Sequence, residues 1–348
     1  MKHSIKIVVG SAFMLALPLL LTSCEDVLGH WEKPTPVIPA PLGSIENPYS
    51  ISTSADWDAF AAKVNGGETN IHAKQTGDIS GVTTVIGTEA NPFKGTYDGQ
   101  GFKISDINIT GENHLGLFGY VSSPDAVIQN VVVASGTVTG AGQSYGGIVG
   151  TLHEGKVDHC VNYANISSSY SIASGAGARI GGIVGWSYGD NTAVNTITNC
   201  INFGNISATG ANGSYAGGIV GCFGIATPGL GDTVEHCQNY GKISTTYGIG
   251  IGGIIGYFYV GPVDHYTVKN NHNGGNLVNT ATTQNSNNII WGGNLSGESA
   301  VDPSNTYWSS MTLTLGTAPQ TLSTYAHGAT AVDSNPEGIT IGSKTYTK

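Results

Sequence analysis

Gly147-Ile148-Val149-Gly150, Gly182-Ile183-Val184-Gly185, Gly218-Ile219-Val220-Gly221 and Gly253-Ile254-Ile255-Gly256 are four copies of one phrase. A looser copy, Gly116-Leu117-Phe118-Gly119, stands before them, and successive copies start 31, 35, 36 and 35 residues apart. Self-similarity at such a period marks a solenoid, in which each repeat buries its apolar face by stacking on its neighbours.

Working outward, a second phrase recurs in step: Val157-Asp158-His159-Cys160, Ile197-Thr198-Asn199-Cys200 and Val234-Glu235-His236-Cys237. Degenerate copies are Ile128-Gln129-Asn130-Val131 and Val268-Lys269-Asn270-Asn271. A third phrase follows, as in Asn162-Tyr163-Ala164-Asn165-Ile166-Ser167 and Asn202-Phe203-Gly204-Asn205-Ile206-Ser207. Short Ile/Val-rich runs separated by Gly and Asn read as strands and turns. No helical pattern lies between them, so the unit is not βαβ. The chain is expected to be all-β, a parallel β-helix (β-solenoid) of about five coils. Like strands of successive coils then pair about 4.8 Å apart. Cys160, Cys200 and Cys237, with Val131, should form an inward ladder. Asn162, Asn202, Asn239 and Asn273 should form a ladder at a turn.

The Gly-Ile-Val-Gly copies resemble the GLUG motif, a repeat of bacterial surface proteins and of some large surface peptidases. The upstream segment Asn91-Pro92-Phe93-Lys94-Gly95-Thr96-Tyr97-Asp98-Gly99-Gln100-Gly101-Phe102-Lys103-Ile104 resembles what precedes such repeats. The likeness covers roughly residues 44–290. It implies architecture and surface location, and no reaction. The chain has no His-Glu-x-x-His, so peptidase activity is not carried over.

Residues 1–23 read as a lipoprotein signal peptide. Lys2 and Lys6 precede the apolar run Ile7 to Leu21, and Leu21-Thr22-Ser23-Cys24 reads as a lipobox. Cys24 is therefore the expected lipidation site, anchoring the chain to the outer membrane. Glu25 and Asp26 form a weak version of the acidic signal for exposure at the cell surface. Residues 24–43 read as a Pro-rich tether, extended by the prolines between Lys33 and Pro41. Residues 44–110 are expected to hold an N-terminal cap and first coil. The cap is a helix with Ser54 as N-cap, Trp57, Phe60, Ala61 and Val64 on one face, and Asn65-Gly66-Gly67 as its stop. Residues 111–290 hold the repeats. Residues 291–348 read as a C-terminal β cap, with a strand over Met311 to Leu315.

Without Lys2 and Lys6 the chain keeps 11 basic and 23 acidic residues, a net charge of −12. That balance, with no Lys/Arg cluster, excludes nucleic acid as an expected partner. Cys160, Cys200, Cys222 and Cys237 read as buried thiols filling the core. No metal is expected at His159 and His236. Alternation along a strand turns each away from its Cys, and Asn199 intervenes between them, leaving the two about 9.6 Å apart. No cofactor is expected.

Some β-helices cleave polysaccharides, which needs carboxylates converging on one exposed face. Asp158 and Glu235 are the best pair available, two rungs or about 9.6 Å apart, and no catalytic residue is assigned. Asp232-Thr233-Val234, in an expected loop, resembles an O-glycosylation acceptor. Aromatics follow the Gly-Ile-Val-Gly phrases: Trp186, Tyr188, Phe223, Tyr257, Phe258 and Tyr259. They read as a strip for sugar rings or a partner protein, or as rings that close a solenoid corner. Trp186, Tyr188, Phe223, Tyr257 and Tyr259 are the candidate binding residues. The expected function is an adhesin-like binding or scaffold protein for a glycan or a host or partner protein. The alternatives are a polysaccharide lyase or glycosidase on the same fold, and a subunit of a surface or fimbrial assembly.

Overall fold

The computed structural model describes residues 39–171, 177–189, 194–210, 213–225, 232–258, 266–281, 286–292, 302–334 and 336–348. Cys24, the signal segment and most of the tether lie outside the described residues. Within 41–348 the chain winds as a parallel β-helix with four faces.

One coil shows how the sequence makes the turn. Val149–Asp158 runs along the first face, Val161–Asn162 along the second, Asn165–Ser168 along the third and Ala178–Gly181 along the fourth. The Gly-Ile-Val-Gly phrase then turns the chain back onto the first face at Val184–Gly189. The rungs of the repeats pair in parallel with like positions of the next coil, as in Val161↔Ile201 and Ile166↔Ile206. Among the described residues the fourth face holds five strands, from Ser144–Gly146 to Ser286–Asn288, which matches the expected number of full coils. Among them the second face runs to nine strands, so shorter coils extend the stack at both ends.

Inside, Val131, Cys160, Cys200 and Cys237 form the expected ladder, all with no exposed surface. The four described cysteines are free buried thiols. Burial, with a thiol on either side, pushes the Cys200 thiol well up. His159 and His236 do not sit within strands, as the alternation argument assumed. With Asn130, Asn199 and Asn270 they occupy one corner at φ between 50° and 55°. This left-handed conformation tolerates Asn and His better than β-branched residues. The corner therefore accounts for the His-Asn alternation without any ligand.

The helix spans Ser54–Asn65, and its N-cap is Thr53 rather than Ser54. Thr53 and Asp56 form a reciprocal capping box, with Asp56 N donating to Thr53 Oγ1 and Thr53 N donating to Asp56. The predicted face, Trp57, Phe60, Ala61 and Val64, is buried. Trp57 packs edge-on against Tyr97 and Phe118, and its Nε1 donates to Thr84 O at 2.8 Å. The helix thus closes the apolar interior of the first coils.

The C-terminal segment does two things. Thr306–Trp308 and Leu313–Leu315 add further rungs to the second and third faces. The antiparallel hairpin Ile339–Ile341 and Lys344–Tyr346 instead lies against the outside of the second face, packing with Val132, Val161 and Ile201. The hairpin thus lies along the flank, while the preceding rungs extend the end of the coil. Gln238 Nε2 donates to Glu337 O at 2.7 Å, and Lys348 sits 4.2 Å over Trp308.

Candidate functional site

Register places the candidate aromatics. Thr151, Trp186, Cys222 and Tyr257 form one ladder on the first face. Trp186 and Tyr257 are therefore two rungs apart on the same face, and both are half-buried. Tyr188 lies two residues beyond Trp186 on the same side of its strand and is also half-buried. Phe223 leaves the set. It is one residue beyond Cys222, so alternation turns it inward, where it is fully buried and stacks on Phe258 at 5.7 Å. Tyr259 lies outside the described residues.

The rings are held by partners from the fourth face and from earlier coils. Trp186 stacks on Tyr188 with centroids 4.0 Å apart, and the Arg179 guanidinium lies 4.2 Å from the Trp186 ring. Tyr188 packs on His153 at 4.6 Å, and its hydroxyl bonds the Tyr120 hydroxyl. His153 Nδ1 pairs with Ser122 Oγ at 2.9 Å. Tyr257 stacks on Tyr215 at 4.3 Å. His114, beside Tyr120, pairs through Nδ1 with Thr151 Oγ1 at 2.7 Å, and burial holds its pKa down. Each stack is worth about 0.5–1.5 kcal/mol beyond area burial, so the cluster is pre-organised. The sequence offers Trp186, Tyr188 and Tyr257 as candidates, and the structure sets Arg179, Tyr215 and His153 against them. The available signal was the residue three places before each Gly-Ile-Val-Gly phrase, which reads Ser144, Arg179 and Tyr215 in successive coils.

The carboxylate ladder is satisfied internally. Asp98, Gln129, Asp158, Thr198, Glu235 and Lys269 share one register position. Asp158 Oδ1 accepts from Thr198 Oγ1 at 2.7 Å and Asn199 Nδ2 at 2.9 Å, and Lys156 lies 3.1 Å from its other oxygen. Burial alone would raise its pKa, but the bonds from Asn199, Thr198 and Lys156 outweigh it and hold the carboxyl at about 2. Glu235 is approached by Lys269 at 3.4 Å and by Asn270 Nδ2 at 3.3 Å. A proton donor in glycoside cleavage needs a raised pKa, the opposite of what Asp158 shows, and the bonds on both carboxylates tie neighbouring rungs together.

A pH dependence follows. Asp158 is depressed below its ordinary 3.8, so its contribution is full above about pH 4 and is lost as pH falls through about 2. The stability gap between the wild type and Asp158→Ala should narrow over that window in denaturant titrations. A gap independent of pH would contradict the assignment.

Two other candidates resolve differently. Thr233 opens the strand Thr233–Glu235 rather than lying in a loop, and Asp232 beside it is buried, accepting from Ser187 Oγ at 2.6 Å. Burial raises the Asp232 pKa. A groove of about 320 Å³ lies over the first coils between Ile45, Pro48, Lys74, Thr96, Asp98 and Gln129. Its Asp98 is already bonded by Gln129 and Asn130. Among the described residues no group of three or more His, Cys, Asp or Glu is placed to hold a metal, and no helix is long and apolar enough to cross a membrane.

No protein-family model and no curated protein matches the chain. Among solved structures, a Bacteroides ovatus protein described as a candidate immunoglobulin A1 protease superposes with a TM-score of 0.69 at 22% identity, over 83% of this chain and 85% of that one. At that identity the likeness carries the fold alone.

Proposed function

We propose that this chain is a lipid-anchored, outer-membrane protein of the GLUG-repeat type that binds a surface glycan. Its role is adhesin-like, with the ring cluster at Trp186, Tyr188 and Tyr257 as the binding surface. The observation that carries the reading is the cluster itself. Three half-buried aromatic rings are fixed by stacking partners on a rigid parallel sheet, in a chain with only 10% charged residues. Rigid aromatic edges beside histidines and tyrosyl hydroxyls offer a sugar both apolar contact and hydrogen bonds. The internally bonded Asp158 and Glu235 favour binding over cleavage. The activity for which the Bacteroides ovatus protein is described is not part of this reading.

The test is a glycan and glycoprotein array probed with the mature domain, with product analysis after prolonged incubation. Retention of a glycan without new reducing or unsaturated ends is expected. Cleaved product would replace this reading with the carbohydrate-active alternative. Anchoring is tested at Cys24. Cys24→Ala should move the protein out of the membrane fraction and the detergent phase. Unchanged partition of the variant would overturn the lipid anchor.

A further inference from the structure

Arg179 is the chain's sole arginine and the least explained group in its interior. Its side chain keeps only 7% of its surface. Its backbone is locked between Ser144 and Tyr215 on the fourth face. One amino group, Nη1, donates to Gln143 Oε1 at 3.2 Å, and the guanidinium plane rests on Trp186. Nε is buried with no hydrogen-bond partner. Among the described residues no carboxylate forms an ion pair with it. In the adjacent rung, exactly in register and so on the same side, Ser144 Oγ is also buried with no partner.

A buried guanidinium without a counter-charge is destabilising, and an orphaned donor adds to that. Two orphaned donors side by side, one of them charged, share one complement: an anionic acceptor. The guanidinium also meets the Cys222 thiol, which burial keeps protonated and so supplies no counter-charge. The Nε side of a guanidinium is the edge that takes a carboxylate through two parallel bonds. Ser144 Oγ lies beside it as a further donor. The partly exposed rings of Trp186 and Tyr188 adjoin the same spot.

We propose that Arg179 and Ser144 form a carboxylate-recognition site, and that the ligand is an acidic sugar, a uronate or a sialate. Its carboxylate pairs with the Nε side of the guanidinium, and its ring lies against Trp186 and Tyr188. This rests on the glycan-binding reading above and names the class of sugar. The chain's strong negative balance makes the point local. The negative balance disfavours acidic ligands over most of the surface, so a cation without a paired carboxylate gives selectivity rather than general anion affinity.

The experiment uses the full mature domain with four probes: a uronate oligosaccharide, its carboxyl-reduced neutral counterpart, sialyllactose and lactose. Arg179→Met keeps the stem on Trp186 and removes the charge. Arg179→Lys keeps a charge and removes the fork. Binding is read by calorimetry and folding by the thermal midpoint. At least one acidic probe should bind at least tenfold more tightly than its neutral partner. That preference should vanish in Arg179→Met and fall at least tenfold in Arg179→Lys. The midpoint of Arg179→Met should stay level or rise, because a buried unpaired charge has gone. Equal binding of acidic and neutral probes overturns this inference and leaves the glycan reading standing. If no probe binds and Arg179→Met lowers the midpoint, Arg179 is a packing residue and the inference fails. An acidic peptide that binds through Arg179 where no sugar does would overturn the sugar assignment.

Discussion

Gly182→Ala should abolish the cooperative fold, or cost more than about 4 kcal/mol where folded protein can be recovered. A Cβ at Gly182 would lie 2.1 Å from Gly218 O and 2.3 Å from Asn202 Cγ. The first obstacle is backbone of the next coil and the second a buried side chain, so neither can yield. Gly147, Gly218 and Gly253 meet the same pair of obstacles in their own coils, namely a backbone carbonyl of the next coil and the ladder asparagine Asn162, Asn239 or Asn273. The first glycine of each phrase is thus the space in which the Asn ladder stands. Gly77→Ala is the control: its Cβ would make ordinary contact at 3.7 Å with Ser52, and its stability should change by no more than about 0.5 kcal/mol. Urea titration of both variants checks the contrast, and a mild Gly182→Ala would show that the coils are looser than described.

Asn202→Ala should destabilise by about 3–5 kcal/mol, since each buried group left unpaired costs about 1–3 kcal/mol. Asn202 is fully buried. Its Nδ2 donates to Gly204 O at 2.8 Å and Asn239 Oδ1 at 2.9 Å, and its Oδ1 accepts from Asn162 Nδ2 at 2.9 Å. Removing it breaks the amide ladder in the middle: Asn162 Nδ2 keeps only Ala164 O, Asn239 Oδ1 keeps only Gly241 N, and Gly204 O loses its amide donor. Asn205, three residues on, is exposed, and its side chain makes one bond, Oδ1 accepting from Lys242 N of the next coil at 3.0 Å, while its backbone bonds to the preceding coil survive in the variant. Asn205→Ala should cost about 1 kcal/mol or less. Chevron or equilibrium denaturation separates the two, and equal losses would contradict a cooperative buried ladder.

Much of the fold was legible because a solenoid writes its register into the sequence. Cys160, Cys200 and Cys237 recur in phase, and the structure stacks them. The Asn ladder was legible for the same reason, although its coupling to the first glycine of each phrase needs three dimensions. The C-terminal hairpin was not legible. The outward residues Val132, Val161 and Ile201 are apolar because Ile339, Ile341 and Tyr346 cover them, and no local pattern links segments so far apart. The helix cap was misplaced by one residue because Thr53 and Ser54 are equally good cap residues by type. The reciprocal bonds between Thr53 and Asp56 decide between them.

The ring cluster was half legible. The motif pointed to the strands that carry Trp186, Tyr188 and Tyr257. It gave no alternation count beyond the final glycine, so Phe223 was grouped with outward rings although it faces the core. Arg179 and Tyr215 were missed because they come from a different face, brought alongside the rings by the tight glycine turn. The position three places before each phrase reads Ser144, Arg179 and Tyr215, so it marks a rung but no shared residue type.

The most direct test of the binding account is the double variant Trp186→Ala, Tyr257→Ala, titrated against the glycan that the wild-type array identifies, with thermal midpoints measured in parallel. Aromatic anchors carry at least about 2 kcal/mol each where they bind, roughly thirtyfold in affinity. The account predicts loss of affinity by at least that factor in protein that remains folded. Unchanged affinity in the folded double variant, with a large fall in its midpoint, would show that these rings only close the corner of the coil.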